Sequence, residues 1–328
     1  RLRLTFFHSV LALHFGNGIL SHFRRNDPLS CTLLPMNGFL RKMSSQVPTG
    51  GCNNKNPVQY SLRLNDDSYP LNKYIGQNVT LKHLGTIKCI ECGRSSKKSY
   101  SQGYCYPCFK KLAQCDLCIV SPERCHFEQG TCRDADFAEN FCMQPHIVYL
   151  ANSSGVKVGI TRPENLPTRW IDQGAVQALP VMSVMTRQQS GFVEVAFKNL
   201  VSDKTHWQKM LRGENKHLDL VTIRNELLAQ LKPDLDPLIQ RFGIQAIQPI
   251  LNAEVQTLTY PVKQYPTKVV SLNLDKTPKI SGTLLGVKGQ YLIFDIGVIN
   301  LRRFTSYEVE ITTDEPASAA QEGQLSLL

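Results

Sequence analysis

The 328-residue sequence has no apolar run of the ~18–20 residues that a membrane-crossing helix needs, so no membrane span is expected. It also lacks a glycine-rich loop of the P-loop or dinucleotide type, the backbone cradle on which those two modes of phosphate binding depend. No long internal repeat is visible, which argues against a solenoid or a propeller. Acidic residues are in short supply. Only 27 Asp and Glu stand against 37 Lys and Arg, leaving a formal net charge of +10 and a pI near 9.1. That imbalance favours an anionic partner such as nucleic acid. Apolar residues make up 42% of the chain, enough to bury a real core in two or three domains.

The opening stretch "RLRLTFFHSVLALHFGNGILSHFRRNDPLSC" has a single acidic residue, Asp27. Three readings of residues 1–35 compete. A signal peptide would place Arg1 and Arg3 ahead of an apolar run, but His8 and His14 interrupt that run and no small-residue cleavage site follows. An organellar transit segment is the second reading. The favoured third is a non-native, upstream-translated segment, with the start at Met36.

Cysteine is abundant and concentrated. Nine of the 11 cysteines lie between Cys89 and Cys142. Disulfide frameworks belong mostly to small secreted domains, whereas clustered Cys pairs point to metal in an intracellular, here cytoplasmic, protein. The stretch "CIECGRSSKKSYSQGYCYPC" carries Cys89-x2-Cys92 and, twelve residues on, Cys105-x2-Cys108. Two such knuckles offer four thiolates to a tetrahedral structural Zn²⁺. Gly93 and Gly103 ease the tight turns beside them. Two disulfides or an iron–sulfur cluster are the competing readings. For a second zinc, Cys115, Cys118, Cys132 and Cys142 are the chosen ligands, with Cys125 or His126 as substitute. His146 reads as a hydrogen-bonding residue at the start of a strand.

The same region is basic. Lys82, Lys88, Arg94, Lys97, Lys98, Lys110 and Lys111 face Glu91 alone, with Tyr100, Tyr104, Tyr106 and Phe109 among them. Lysines neutralise phosphates and aromatic rings stack on unpaired bases. A solvated basic face with its aromatics packed on the metal knuckles is the alternative. Arg94, Lys97, Lys98, Lys110, Lys111 and, further on, Lys157 are the candidate nucleic-acid contacts.

Residues 147–151 and 156–160 are β-branched and apolar, joined through Asn152 to Gly155, and read as a β-hairpin. A helix is expected from about Thr168, carrying Arg169, Trp170 and Asp172, and a strand over 178–185. Residues 190–211 read as one helix, capped by Ser190, with Phe192, Val195, Ala196 and Leu200 at helical spacing.

This order, with "VYL", "KVGIT", "TRW" and the later helix glutamate, resembles the GIY-YIG nuclease superfamily over residues 146–211. From Met36 to Thr312 the chain also resembles an uncharacterised prokaryotic Cys-rich family carrying a "VYLA…KVGIT…R…QGA" segment. The first resemblance implies metal-assisted phosphodiester hydrolysis. Tyr149 would match the first-strand tyrosine, Gly159 the glycine of the second strand motif, Arg169 the phosphate-binding helix arginine and Glu194 the metal glutamate. A lone carboxylate suits a water-rich Mg²⁺ or Mn²⁺, and an arginine fork suits a phosphate. The chain departs from the pattern at Val158, read as standing where the second tyrosine belongs, and at Val148 in place of a glycine. Asn199 and Asn215 are in range of the family's terminal asparagine. Structural roles compete throughout: a half-buried strand aromatic for Tyr149, an ion pair with Asp172 for Arg169, a helix-terminus charge for Glu194.

Helices are expected over 216–232 and 234–248, separated by Pro233, and then a run of short strands punctuated by Gly282, Gly286, Gly289 and Gly297. "TKVVSLNL", "KISGTLLGVKG", "QYLIFDIG" and "INLRRFTSYEVEIT" are read as those strands. With "VQYSLRLND" and "QNVTLKHLG" they suggest a small, discontinuous barrel of OB-like type. Arg302 and Arg303 read as a solvated strand edge. The expected class is α+β: a zinc-ribbon module, a GIY-YIG-like α/β unit and a small β-barrel. The segments are 36–86 (N-terminal β), 87–145 (Cys-rich zinc-binding), 146–212 (GIY-YIG-like), 213–253 (helical linker), 254–313 (C-terminal β) and 314–328 (disordered tail). The leading functional reading is a nucleic-acid-processing protein, a metal-dependent nuclease using Tyr149, Arg169 and Glu194. A non-catalytic zinc-dependent RNA- or DNA-binding protein and a zinc-stabilised protein-interaction module are the alternatives.

Overall fold

The computed structural model describes residues 35–48 and 56–313. The expected upstream segment, apart from Pro35, and the expected tail 314–328 lie outside the described residues. Helix and sheet are mixed throughout.

The largest sheet has six strands and draws on both ends of the chain. Its order is Met36–Phe39, Tyr307–Thr313, Asn78–Ile87, Lys279–Lys288, Tyr291–Phe294 and Gly297–Asn300, all antiparallel. Alternation explains it: in Tyr307–Thr313 the residues Tyr307, Val309 and Ile311 are buried while their neighbours face outward. Among the described residues no ladder joins the two edge strands, so the pairing path is open. A three-stranded sheet of Ser44–Gln46, Gln59–Leu64 and Asp67–Pro70 lies beside it. "TKVVSLNL" does not form the expected strand; only Ser271 bridges to Val298. "INLRRFTSYEVEIT" breaks at a 3₁₀ turn over Leu301–Phe304, started by Asn300, whose side chain accepts from the Arg302 N–H at 3.1 Å.

The second large sheet is centred on His146–Asn152. This strand pairs with Val156–Thr161 on one side and Gln177–Val184 on the other, both antiparallel. The sheet is buried on both faces. Val148, Leu150, Val158, Leu179 and Val181 meet the helix Arg187–Lys198 through Val193, Ala196 and Phe197. The helices Leu220–Gln230 and Lys232–Phe242 close that side through Leu220, Leu227, Leu231 and Leu235. Tyr149 and Ala151 point the other way, into a core shared with Trp170 and Ile171 of the short helix Thr168–Asp172 and with the six-stranded sheet.

The helix expected over 190–211 is two elements. Arg187–Lys198 begins earlier because Thr186 and Gln189 form a capping box, and Ser190 instead donates to the Arg187 carbonyl at 2.6 Å. A loop then leads to Trp207–Leu211, capped by His206. The later helices are also shorter than expected. Asp219 caps the first at Val221 and Thr222, and Gly243, at φ +91, ends the second. Phe197 is fully buried between helix and sheet. Phe197→Ala should therefore cost about 3–5 kcal/mol, read from urea denaturation; a loss below about 1 kcal/mol would contradict this packing.

Candidate metal centre and the adjoining cationic cleft

Cys89 follows directly from the strand Asn78–Ile87 after one residue, and Cys105 opens the helix Tyr106–Lys111, whose second residue is Pro107. The backbone between them folds back: the Ile90 N–H donates to the Gly103 carbonyl at 2.9 Å and the Cys89 N–H to the Arg94 carbonyl at 2.9 Å. Gly103, at φ +142, has no room for a Cβ, which would lie 2.8 Å from the Ile90 side chain. The sulfurs of Cys89, Cys92, Cys105 and Cys108 all fall within 4.8 Å of one another. The Cys92 and Cys105 sulfurs are 3.7 Å apart. Zn–S bonds of about 2.3 Å in a tetrahedron put the sulfurs about 3.8 Å apart, so the four thiols fit such an ion. None is in a disulfide. Burial pushes the Cys89 thiol up, but the backbone N–H groups of Cys92, Cys105 and Glu91 outweigh it and bring the thiol down to about 6. A thiol already poised as thiolate is the form a metal takes.

Cys115 does not join the second group. It is buried near Ser101 and in the field of Cys89. The sulfur of Cys118 falls within 4.8 Å of ligand atoms of Asp116 and His126, and Cys125, Cys132 and Cys142 are not grouped with it. His146 is buried, donates from Nδ1 to the Gln144 carbonyl at 2.7 Å and has its Nε2 unpartnered. Burial depresses it to about 4.

The residues singled out on the hairpin unit share one neighbourhood. The hydroxyl of Tyr149 donates to Gln173 Oε1 at 3.0 Å, and its ring meets Trp170 edge-on at 6.0 Å. Gly159 pairs with Tyr149 across the hairpin, and a Cβ there would sit 2.6 Å from the tyrosine hydroxyl. The glycine is what lets the ring lie across the strand. Burial raises the Tyr149 phenol, with Arg169 and Gln173 opposing. Glu194 is raised by burial, against the pull of Lys198. Lys198 bridges Glu194 and Asp203, 3.3 Å from each. An ammonium thus occupies the space between the two carboxylates, and this donor set does not suit Mg²⁺ or Mn²⁺. Arg169 is not paired with Asp172, whose carboxylate is held by Lys42 and by Gln290 at 2.9 Å.

Val158 points into the helix-covered core, on the opposite face of the sheet from Tyr149. On the second strand the face of Tyr149 is shared by Lys157, opposite Ala151, together with Gly159 and Thr161. Only 4% exposed, it cannot serve as the surface phosphate contact expected of it. Burial pushes its ammonium down to about 8, with Arg169 adding to the push and Asp203 and Glu194 opposing.

The other expected contacts are exposed but scattered from this site. Arg94, Lys97, Lys98, Lys110 and Lys111 all face solvent. Tyr100 packs on Tyr106 and Phe109, with ring centroids 5.5 and 5.8 Å away. The concentrated positive charge lies elsewhere, in a cleft of about 720 Å³. The β-sheet body supplies Arg41, Lys42, Arg63 and Arg302, and the hairpin unit supplies Arg162, Arg169 and Arg187. Asp172 is the one acidic side chain in the lining. Ile90, from the first cysteine knuckle, and Tyr104, beside the second, form part of the wall. Sequence reasoning missed this set because its members are far apart in the chain; runs of basic residues were the only visible signal.

Fold and site together define a mixed helix-and-sheet protein with a four-cysteine cluster that could hold a metal ion such as zinc. The chain belongs to the family described as "Protein of unknown function (DUF2797)", which it matches over residues 76–309. No curated protein and no solved structure matches it. Among the described residues no helix is long and apolar enough to cross a membrane.

Two outcomes follow from this geometry. Stripping the metal with a chelator under reducing conditions should open residues 89–115 to protease while the strand His146–Asn152 stays protected, as mapped by limited proteolysis and mass spectrometry. Equal resistance before and after stripping would contradict a metal clamp. Lys157 has a folded value near 8, below its unfolded one. Its charge therefore penalises the fold in full below pH 8, and the penalty fades as pH rises towards about 10.4. Lys157→Met should gain on the order of 2 kcal/mol at pH 7, and less at pH 10, in paired urea titrations. An equal or lower stability at pH 7 would show that the lysine is held by compensating partners.

Proposed function

We propose that the protein binds the phosphodiester backbone of single-stranded nucleic acid in the cationic cleft, with zinc at Cys89, Cys92, Cys105 and Cys108 fixing one wall. The observation that carries this reading is seven Arg and Lys side chains converging on one cleft whose only acidic member is already held by Lys42. Like charges brought together in a folded protein repel. Burial depresses Arg302 and Arg41, offset by Asp172 and Asp66 respectively, while Arg169 and Arg63 add to the depression. An anion with several charges relieves that repulsion, and arginine forks suit phosphate oxygens. A volume of about 720 Å³ falls in the range of small-ligand clefts, which suits a few nucleotides of single strand rather than a duplex. Free thiols throughout the described chain fit a reducing, cytoplasmic setting.

A nuclease of GIY-YIG-like type is the second reading, favoured by one observation: Tyr149, Arg169, Lys157 and Glu194 act on one another electrostatically across the hairpin unit. Arg169, which lines the cleft, would steady the phosphate, with Lys157 and Tyr149 buried behind it. No step is assigned to a divalent metal, because Lys198 holds Glu194.

Fluorescence anisotropy with labelled single-stranded RNA and DNA tests the proposal. Affinity should fall with salt, with a log–log slope of about −3 if four phosphates are engaged. Arg63→Ala and Arg169→Ala should each weaken binding by about tenfold, a loss near 1.4 kcal/mol. Lys97→Ala should leave it unchanged. Salt-independent or absent binding would refute the reading. Strand cleavage by the wild type that disappears in Tyr149→Phe would instead establish the nuclease.

A further inference from the structure

We infer that the protein has a second metal centre, a zinc ion held by Asp116, Cys118 and His126 with its fourth position open to solvent. This goes beyond the cleft and does not depend on what the cleft binds.

Two short turns bring the three residues together. Asp116 opens the 3₁₀ turn Leu117–Ile119, and Cys118 is its middle residue. His126 starts the second turn, in which the Gln129 N–H donates to the His126 carbonyl at 3.2 Å and the Gly130 N–H to the Phe127 carbonyl at 2.9 Å. Gly130, at φ +69, turns the chain back so that Thr131 meets the His126 ring. One ligand atom from each of Asp116, Cys118 and His126 then falls within 4.8 Å of the other two. Cys118 is a free thiol. All three residues are partly buried, which leaves water a way in. Cys132 is engaged elsewhere, its thiol donating to the Asp134 carbonyl at 3.3 Å.

The hydrogen bonds around His126 point to an ion. A hydroxyl has one proton, and that of Thr131 goes to the His126 carbonyl at 3.3 Å. Nδ1 is therefore the donor in its 2.8 Å bond to the Thr131 oxygen. In the neutral ring Nε2 then presents a bare lone pair, 3.6 Å from Asp116 Oδ2. Two acceptors face each other at a separation too long for a hydrogen bond. It is the separation of two ligands on one ion: zinc bonds of about 2.0–2.2 Å to N and O in a tetrahedron put those atoms about 3.4 Å apart. A histidine that donates from one ring nitrogen to a fixed partner is also the usual form of a metal ligand.

Asp116 is oriented in the same manner. Arg133 donates to its carboxylate from Nε at 2.6 Å and to the Leu112 carbonyl from Nη1 at 3.1 Å. Lys198 bridges two carboxylates, whereas Arg133 engages this one, and a carboxylate has lone pairs enough for a guanidinium and an ion together. A thiolate, an imidazole and a carboxylate make a mixed S, N and O set that suits Zn²⁺, and the two anions neutralise its charge. Three protein ligands leave one tetrahedral position for water. The ion would also brace the cleft. Cys118 directly precedes Ile119, which lines the cleft with Val120 and whose carbonyl accepts from Arg187 at 2.6 Å.

Metal content of the full chain, purified under reducing conditions and loaded with zinc, tests this by mass spectrometry. Two zinc ions per chain are expected in the wild type and in Cys132→Ser, and one in His126→Ala. Thr131→Val should keep the site but weaken its zinc affinity by about 10–100-fold. Cobalt titration of the metal-stripped wild type gives a reading that no variant's misfolding can confuse. The second equivalent should add about a quarter of the thiolate-to-cobalt absorption of the first, one sulfur against four. One zinc ion in the wild type would overturn the assignment and leave His126 and Asp116 as a plain ion pair. Two zinc ions retained in His126→Ala, or a second cobalt equivalent absorbing as strongly as the first, would overturn it as well.

Discussion

Four sulfur atoms meeting within 4.8 Å are the constraint on which much of this molecule depends. Few residues of the Cys-rich segment are buried, so burial alone does not define its shape. Thiols brought so close resist joint ionisation unless a cation shares their charge. A metal ion held there would convert that conflict into a rigid joint. The joint sits where the six-stranded sheet ends: the Lys88 N–H donates to the Ser306 carbonyl at 3.1 Å, and Ser306 in turn donates to the Gly103 carbonyl at 2.9 Å. The cysteine knuckles are thereby tied to the sheet that supplies Arg41, Arg63 and Arg302 to the cleft.

Opposed to that order is electrostatic strain. Arginines from distant segments face a common space; Asp172, the one acid in the lining, is held by Lys42, and Glu164 pairs with Arg162 at 2.9 Å. Phe141 shields part of it, with the guanidinium of Arg162 at 4.4 Å from its ring and that of Arg187 at 5.6 Å. A protein free of selection for such a cluster would lose it, because each unpaired buried cation costs stability. Retaining it makes sense where a polyanion completes the charge balance.

How far the sequence revealed this depends on the range of the interactions. The first cysteine cluster was legible because its ligands are local, two knuckles twelve residues apart. The hairpin and its flanking strand were legible for a similar reason: short strands at period 2 and a short connection leave few alternatives. Val158 was misread because facing depends on register; Lys157, one residue earlier, shares the face of Tyr149. The helix over 190–211 was misread because the capping box at Thr186 and Gln189 was overlooked. The cleft was invisible, since Arg41, Arg63, Arg169 and Arg302 meet only after the ends of the chain have paired. The basic run from Arg94 to Lys111, conspicuous in the sequence, is exposed to solvent and outside the lining of the cleft.

The central claim is that the converged arginines, and not that basic run, receive the nucleic acid backbone. Hydrogen exchange of the full chain, with and without a saturating single-stranded oligonucleotide, tests it most directly. The account predicts slower exchange in peptides around Arg41, Arg63, Arg169 and Arg302, and no change from Arg94 to Lys111. Protection confined to Arg94–Lys111, with the cleft peptides unchanged, would contradict it.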